Sequence, residues 1–247
     1  VIEFKNVFKA FGPKKVLNGL SLRINKGEIF FILGRSGTGK SVSLKHLVGL
    51  LKADSGEIFL EQTPLHQLTE KDFGPIRKKC GLVFQLPALL DSRTLFENIT
   101  FGIRDLPLKT QIERTLKVLP QVSLEGIVEN VSTLYPPQIS YGEQKRLALA
   151  RTLVVDPDYI LYDEPTTGLD PVTSKSVHEL IRSVSRDLGK TSVVVSHDMR
   201  NALNTADKIA VLDAGQVIDF GTPQEILNSQ VKLTMEFLQD FKESPQP

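Results

Sequence analysis

The sequence predicts an α/β fold: a parallel sheet with helices between its strands and a helical insertion between its two halves. Three observations carry this. Glu28–Leu33, Tyr159–Tyr162, Ser192–Val195 and Ile209–Leu212 are apolar runs with the length of buried strands. A glycine loop, Gly34-Arg35-Ser36-Gly37-Thr38-Gly39-Lys40-Ser41, joins the first run to a helical pattern. Between Pro87 and Pro137 the strand-like runs stop and short helical segments take over.

In chain order, Ile2–Val7 and Val16–Ile24 read as strands around a Gly12-Pro13 turn. Lys26-Gly27 turns the chain into the strand ahead of the glycine loop. Beyond the loop Val42, Leu44, Leu47, Val48 and Leu51 recur at helical spacing, and Asp54-Ser55-Gly56 ends that helix. Glu57–Leu60 and Cys80–Gln85 are further strands. Helices are expected over Leu95–Phe101, Leu108–Leu119 and Tyr141–Val154. The later strands alternate with helices over Val172–Leu188 and Met199–Thr205. Ala214-Gly215 turns the chain into Gln216–Phe220, and Val231–Phe241 is a terminal helix before a frayed, Pro-containing end.

Composition narrows the class. Hydrophobic residues are 40% and charged residues 24%, as in ordinary globular domains, and the net charge is +1. No basic field points to a nucleic-acid partner. The single cysteine, Cys80, excludes an internal disulfide and fits a reducing compartment. No apolar stretch approaches the roughly 20 residues that span a bilayer, and the N-terminus lacks a signal-peptide layout. Action at a membrane therefore requires recruitment by another chain.

The glycine loop is the first chemical motif. Gly34, Gly37 and Gly39 let the backbone curl so that successive N–H groups and the following helix N-terminus face an anion. Lys40 adds a charge for β and γ phosphates, and the Ser41 hydroxyl is a Mg²⁺ ligand. Asp163 stands at the carboxyl end of Tyr159–Tyr162, the edge where open α/β sheets bind ligands, and is placed to hold Mg²⁺. Glu164 follows, placed to orient or deprotonate an attacking water. A lone acidic pair is as often a plain strand cap; the glycine loop tips the balance. Ser140 and Glu143 form an S-x-x-E capping box, and Gly142 lets that helix N-terminus approach a γ-phosphate held by another subunit. Two phosphate-facing loops on one chain imply that two copies clamp the nucleotide. His197, after Val193–Ser196, is read as a γ-phosphate contact. Gln85, at a strand end, is placed to reach Mg²⁺ or the water. Phe11 is either an adenine-stacking ring or a core aromatic.

Together these residues resemble the nucleotide-binding subunit of an ABC transporter over nearly the whole chain. Gly34–Ser41 resembles the Walker A motif, Gln85 the Q-loop, Ser140-Tyr141-Gly142-Glu143-Gln144 the family signature, Ile160–Glu164 Walker B, Gly168-Leu169-Asp170 the D-loop, His197 the switch histidine and Phe11 the A-loop aromatic. The resemblance implies a P-loop NTPase (ABC ATPase) fold. It has a RecA-like core and antiparallel β subdomain over residues 1–86 and 156–247, with a helical subdomain over 87–155. It implies ATP and Mg²⁺ as cofactors. Arg35, Ser36, Thr38, Tyr141, Gln144 and Asp170 would join the nucleotide contacts. The implied partners are a second ATPase subunit and integral membrane permeases, at the cytoplasmic face of the inner membrane. GRSGTGKSV, ALLDSRTLFENITFGI and SHDMRNALNTADKIAVLDAGQVIDFGTPQEI resemble the Mla/Mce-type ATPases, which implies lipid cargo and an MCE-domain substrate-binding protein. Tyr141 replaces the first glycine of the usual signature. A similar SYGEQ segment occurs in branched-chain amino-acid importer ATPases, which keeps that cargo as an alternative. A soluble member without permease, such as an iron–sulfur assembly factor, is the other alternative. Leu86, Leu89 and Leu90 are expected either to dock a permease or to pack inside the insertion.

Overall fold

The computed structural model describes residues 1–243, with side chains through residue 239. The Pro-containing end, expected to fray, lies outside the described residues.

The chain starts with a hairpin, β1 (Ile2–Phe11) and β2 (Lys14–Ile24), then β3 (Ile29–Leu33), which leads through the glycine loop into α1 (Lys40–Leu47). β4 (Ser55–Leu60) and the two-residue β5 (Thr63–Pro64) follow, then α2 (Phe73–Lys79) and β6 (Cys80–Val83). Three helices come next: α3 (Leu95–Thr100), α4 (Leu108–Gln121) and α5 (Tyr141–Leu153). β7 (Tyr159–Asp163), α6 (Pro171–Asp187), β8 (Thr191–Ser196), α7 (Met199–Thr205) and β9 (Lys208–Asp213) complete the alternation. β10 (Gln216–Gly221), α8 (Pro223–Leu227) and α9 (Lys232–Glu243) end it.

Two sheets result. The first is antiparallel, in the order β2-β1-β4-β5. The second runs β10-β9-β3-β8-β7-β6; it is parallel except for β10, which returns antiparallel beside β9. Both faces of the parallel sheet are covered, so its strands are apolar throughout. Phe30, Ile32, Leu161, Val193 and Val195 pack toward the antiparallel sheet and α1. Phe31, Leu33, Ile160, Tyr162 and Val194 pack on the opposite face with α5, α6 and α7. The alternation assigns each residue its core.

Several sequence-based bounds move. β1 runs on to Phe11, because register shifts around Val7 and Phe8 and a left-handed Asn6 (φ 47°) break the alternation that marks a strand in sequence. Phe11 is half exposed and so is not a core residue. β6 ends at Val83, which puts Gln85 two residues beyond the strand, in the loop toward α3. The helix α2 lies in the stretch between Glu57–Leu60 and Cys80–Gln85 where no element was expected, and it carries Pro75 in its first turn, where proline is tolerated. Leu89 packs against the main core, while Leu86 and Leu90 are exposed.

Candidate nucleotide site

The site forms where β3, β8 and β7 end side by side. Leu33 is in register with Ser196, and Val195 with Asp163, so the glycine loop, His197 and the acidic pair leave one sheet edge together.

The loop needs its glycines for space as well as curvature. A methyl group on Gly39 (φ 105°) would stand 2.7 Å from both Leu17 Cδ2 and the Val16 carbonyl oxygen, and one on Gly34 would stand 2.4 Å from the Leu212 carbonyl oxygen. Gly37 (φ 82°) has open space; a methyl there would meet only Lys14 Nζ, at 3.9 Å. Gly39 is the N-cap of α1 and supplies no side-chain cap, so the N–H groups of that first turn are left for an anion. Thr38 Oγ1 donates to the Arg35 carbonyl at 2.9 Å and braces the curl. Ser36 is exposed beside it, and the Arg35 guanidinium is paired with Glu236 of α9 at 2.6 Å.

Lys40 Nζ is buried. It donates to the Gly34 and Arg35 carbonyls at 2.8 and 3.0 Å and lies 3.5 Å from Glu164 Oε1. Ser41 Oγ donates to Asp163 Oδ1 at 2.6 Å. These are hard oxygen donors one hydrogen bond apart at a phosphate loop. They fit Mg²⁺, which takes one or two protein oxygens and completes its shell with phosphate and water.

Glu164 leaves the strand with φ 49°, a left-handed conformation that costs a non-glycine residue on the order of 1 kcal/mol. Its N–H donates to the Val195 carbonyl at 2.9 Å, which fixes the turn. Glu164 Oε2 and His197 Nδ1 are 2.8 Å apart. Burial pushes the Glu164 carboxyl upward, but the His197 hydrogen bond and charge, with Lys40, outweigh it and hold the group below its ordinary range. His197 is raised, first by its hydrogen bond to Glu164. An ionised carboxylate hydrogen-bonded to the His197 imidazole and beside a lysine can orient a bound water and accept its proton.

The signature residues open α5. Ser140 and Glu143 complete the capping box: Ser140 N and Oγ both donate to Glu143 Oε2, and Glu143 N–H donates to Ser140 Oγ at 3.3 Å. The Gln144 amide turns back to the Pro136 and Ile139 carbonyls, so it anchors the preceding loop. A methyl on Gly142 would lie 3.0 Å from Thr173 Cγ2, so this glycine also lets α5 meet α6. Asp170 caps α6, accepting from the Val172 and Thr173 N–H groups at 3.0 Å each and from the Thr173 hydroxyl. The Gln85 side chain is exposed, and its carbonyl accepts a hydrogen bond from Lys145. Phe11 faces outward at the end of β1 with Lys9 Nζ 5.4 Å from its ring centroid.

Two residues escaped the sequence reading. Lys14 pairs across the hairpin with Phe11 and carries its amine to Gly37. Lys145 is buried under the signature. The Phe11–Lys14 hairpin pairing was a usable signal for the first; nothing local marks the second.

The fold and this site define a P-loop ATPase domain. Residues 17–167 match the family model described as "ABC transporter". The chain belongs to the ABC transporter family and has its ABC ATPase fold, with ATP and Mg²⁺ as the family's cofactors. Among similar proteins, "Methionine import ATP-binding protein MetN" of Rhizobium johnstonii is 35% identical over 96% of this chain and 66% of that protein. Its namesake in Mesorhizobium japonicum is 36% identical over 90% and 60%. The chain thus spans less than two thirds of these relatives. Among solved structures, the ATP-binding cassette MJ0796 in a dimeric post-hydrolysis state with ADP and Pi is 32% identical with a TM-score of 0.80, over 90% of this chain and 99% of that one. cbiO1 from Clostridium perfringens, part of the transporter complex cbiONQ, is 27% identical with a TM-score of 0.84, over 99% of each chain.

Proposed function

We propose that the chain is the ATP-hydrolysing subunit of an ABC transporter, bound peripherally at the cytoplasmic face of a bacterial membrane beneath separate permeases. The observation that carries this is Glu164, held ionised between Lys40 and His197 next to the Ser41–Asp163 pair. Phe11 offers its exposed ring to adenine, and the glycine loop, Lys40 and Lys14 hold the phosphates. Ser41 and Asp163, with Gln85, hold Mg²⁺, which when bound neutralises phosphate charge. Glu164 orients water and takes its proton as the water oxygen bonds the γ-phosphorus and the bond to the β-phosphate oxygen breaks. His197 stabilises the charge on the γ-phosphoryl oxygens. Two copies pack head to tail, so that the partner subunit's Ser140 and Gly142 close on the phosphates opposite Lys40. The dimeric relatives support this arrangement. Residues 1–86 and 156–247 act as the core and 87–155 as a helical lobe that moves against it.

The permease seat we assign lies between these parts. A cavity of about 280 Å³ is lined by Leu50, Leu82, Phe84, Thr152, Val155 and Pro157, with Leu86 and Leu90 exposed nearby in sequence. Among the described residues no helix is long and apolar enough to cross a membrane, so the permease supplies the span.

The names of the relatives favour import of methionine or a similar amino acid. Lipid cargo with an MCE-domain protein rests on the sequence resemblance of GRSGTGKSV and ALLDSRTLFENITFGI alone, and the relatives named above do not support it. The chain, reconstituted with its copurifying permeases in nanodiscs, separates them: ATPase stimulation by methionine supports the first, and phospholipid movement supports the second. Turnover with no copurifying permease supports the soluble alternative instead.

A further inference from the structure

Tyr141 departs from the family signature. Its ring lies against two other parts of the site. A methyl group on Gly168, in the loop ahead of α6, would sit 3.6 Å from Tyr141 Cε1. On the other side Lys145 Nζ is 5.5 Å from the ring centroid, one helical turn along α5. Lys145 is only 4% exposed, and its amine donates to the Gln85 carbonyl. Burial lowers the pKa of this amine, and the Glu164 charge opposes that shift. A buried ammonium is costly unless it is bonded and faces compensating charge. Here the bond goes to the Gln85 carbonyl.

We propose that Lys145 and Tyr141 form a bridge from the Gln85 loop to the Gly168–Asp170 loop. In it Lys145 is a positioning residue that holds the Gln85 backbone against α5, and the Tyr141 ring braces Lys145 against Gly168. This rests on the ATPase reading above. It explains why an aromatic is accommodated at position 141. Gly168 (φ 81°) has no side chain, so the ring can lie alongside its backbone. It also links the Gln85 loop to the Gly168–Asp170 loop through α5.

The bland alternative is that Lys145 only fills space. Two substitutions oppose these roles. Lys145→Met keeps the apolar stem and removes the donor and charge; Lys145→Gln keeps an N–H donor. The bridge predicts that Lys145→Met lowers kcat about tenfold with KM for ATP within about twofold, and that Lys145→Gln restores kcat to within about twofold of the starting protein. Tyr141→Ala, which removes the ring, lowers kcat. Tyr141→Ala with Lys145→Met is no slower than Lys145→Met alone, because both break one link. Full activity in Lys145→Met, equal loss in Lys145→Gln, or multiplying losses in the double variant overturns the bridge. Should Lys145→Met fail to fold by thermal melting, Tyr141→Ala decides: an undiminished kcat there overturns it equally. A starting protein that binds ATP without turning it over refutes the ATPase reading instead.

Discussion

Alanine at Gly39 and at Gly37 should separate two kinds of damage within one phosphate loop. Both glycines have left-handed backbones, at φ 105° and 82°. An alanine forced into such a conformation costs about 1–2 kcal/mol. At Gly37 the cost ends there, because the nearest atom to a new methyl is the end of the mobile Lys14 side chain, at 3.9 Å. At Gly39 the methyl would press at 2.7 Å on the Val16 carbonyl oxygen and on Leu17 Cδ2. Leu17 is buried and the carbonyl belongs to β2, so the strand or α1 must shift. Overpacking of that kind adds about 1–3 kcal/mol. Gly39→Ala should therefore lose about 2–5 kcal/mol and Gly37→Ala about 1–2 kcal/mol. For a chain of this size these correspond to Tm decreases of roughly 4–20 °C and 2–8 °C. Thermal unfolding followed by circular dichroism, without nucleotide, measures both. Equal melting temperatures for the two variants would refute the claim that Gly39 is required by contact with β2.

The pairing of Glu164 with His197 has a defined pH window. Glu164 is lowered from 4.5, so its contribution is present above that value and lost as pH falls through the folded pKa; His197 is raised from 6.5, so its share is present below that value and lost as pH rises through the folded one. NMR titration should place His197 above 6.5, and Glu164→Gln should remove the upward shift; an unchanged His197 titration in the variant contradicts the pair. Asp163→Asn should weaken Mg²⁺-dependent ATP affinity by about ten- to hundredfold and leave Mg²⁺-independent binding nearly intact, read by fluorescent-nucleotide titration with and without the metal. Leu86→Glu should abolish permease copurification at unchanged ATP affinity; intact assembly removes Leu86 from the interface.

Much of the fold was legible because the parallel strands are covered on both faces and read as unbroken apolar runs. The α7 bounds, the hairpin into β10 and the strand–loop–helix around Lys40 came from local signals of that kind. Where local chemistry conflicts with the final structure, sequence misled. The bulges after Asn6 cut β1 short. The acidic pair was found from its place at a strand end, but its partners were not. Ser41 meets Asp163 and Lys40 meets Glu164 across more than a hundred residues, and only the sheet order brings them together. Gln144 shows the converse: a motif position expected at the nucleotide is committed to its own loop. Tyr141 and Lys145 could not be linked to Gly168 and Gln85 without the packing of α5 beside them.

Glu164 is proposed to take the proton in hydrolysis while ATP holds two copies together. Glu164→Gln with saturating Mg-ATP tests it most directly, by light scattering coupled to size exclusion and by phosphate release on the same sample. An ATP-dependent dimer should persist, with phosphate release nearly abolished and ATP affinity retained. A variant that releases phosphate at the starting rate, or that stays monomeric at saturating ATP, contradicts it.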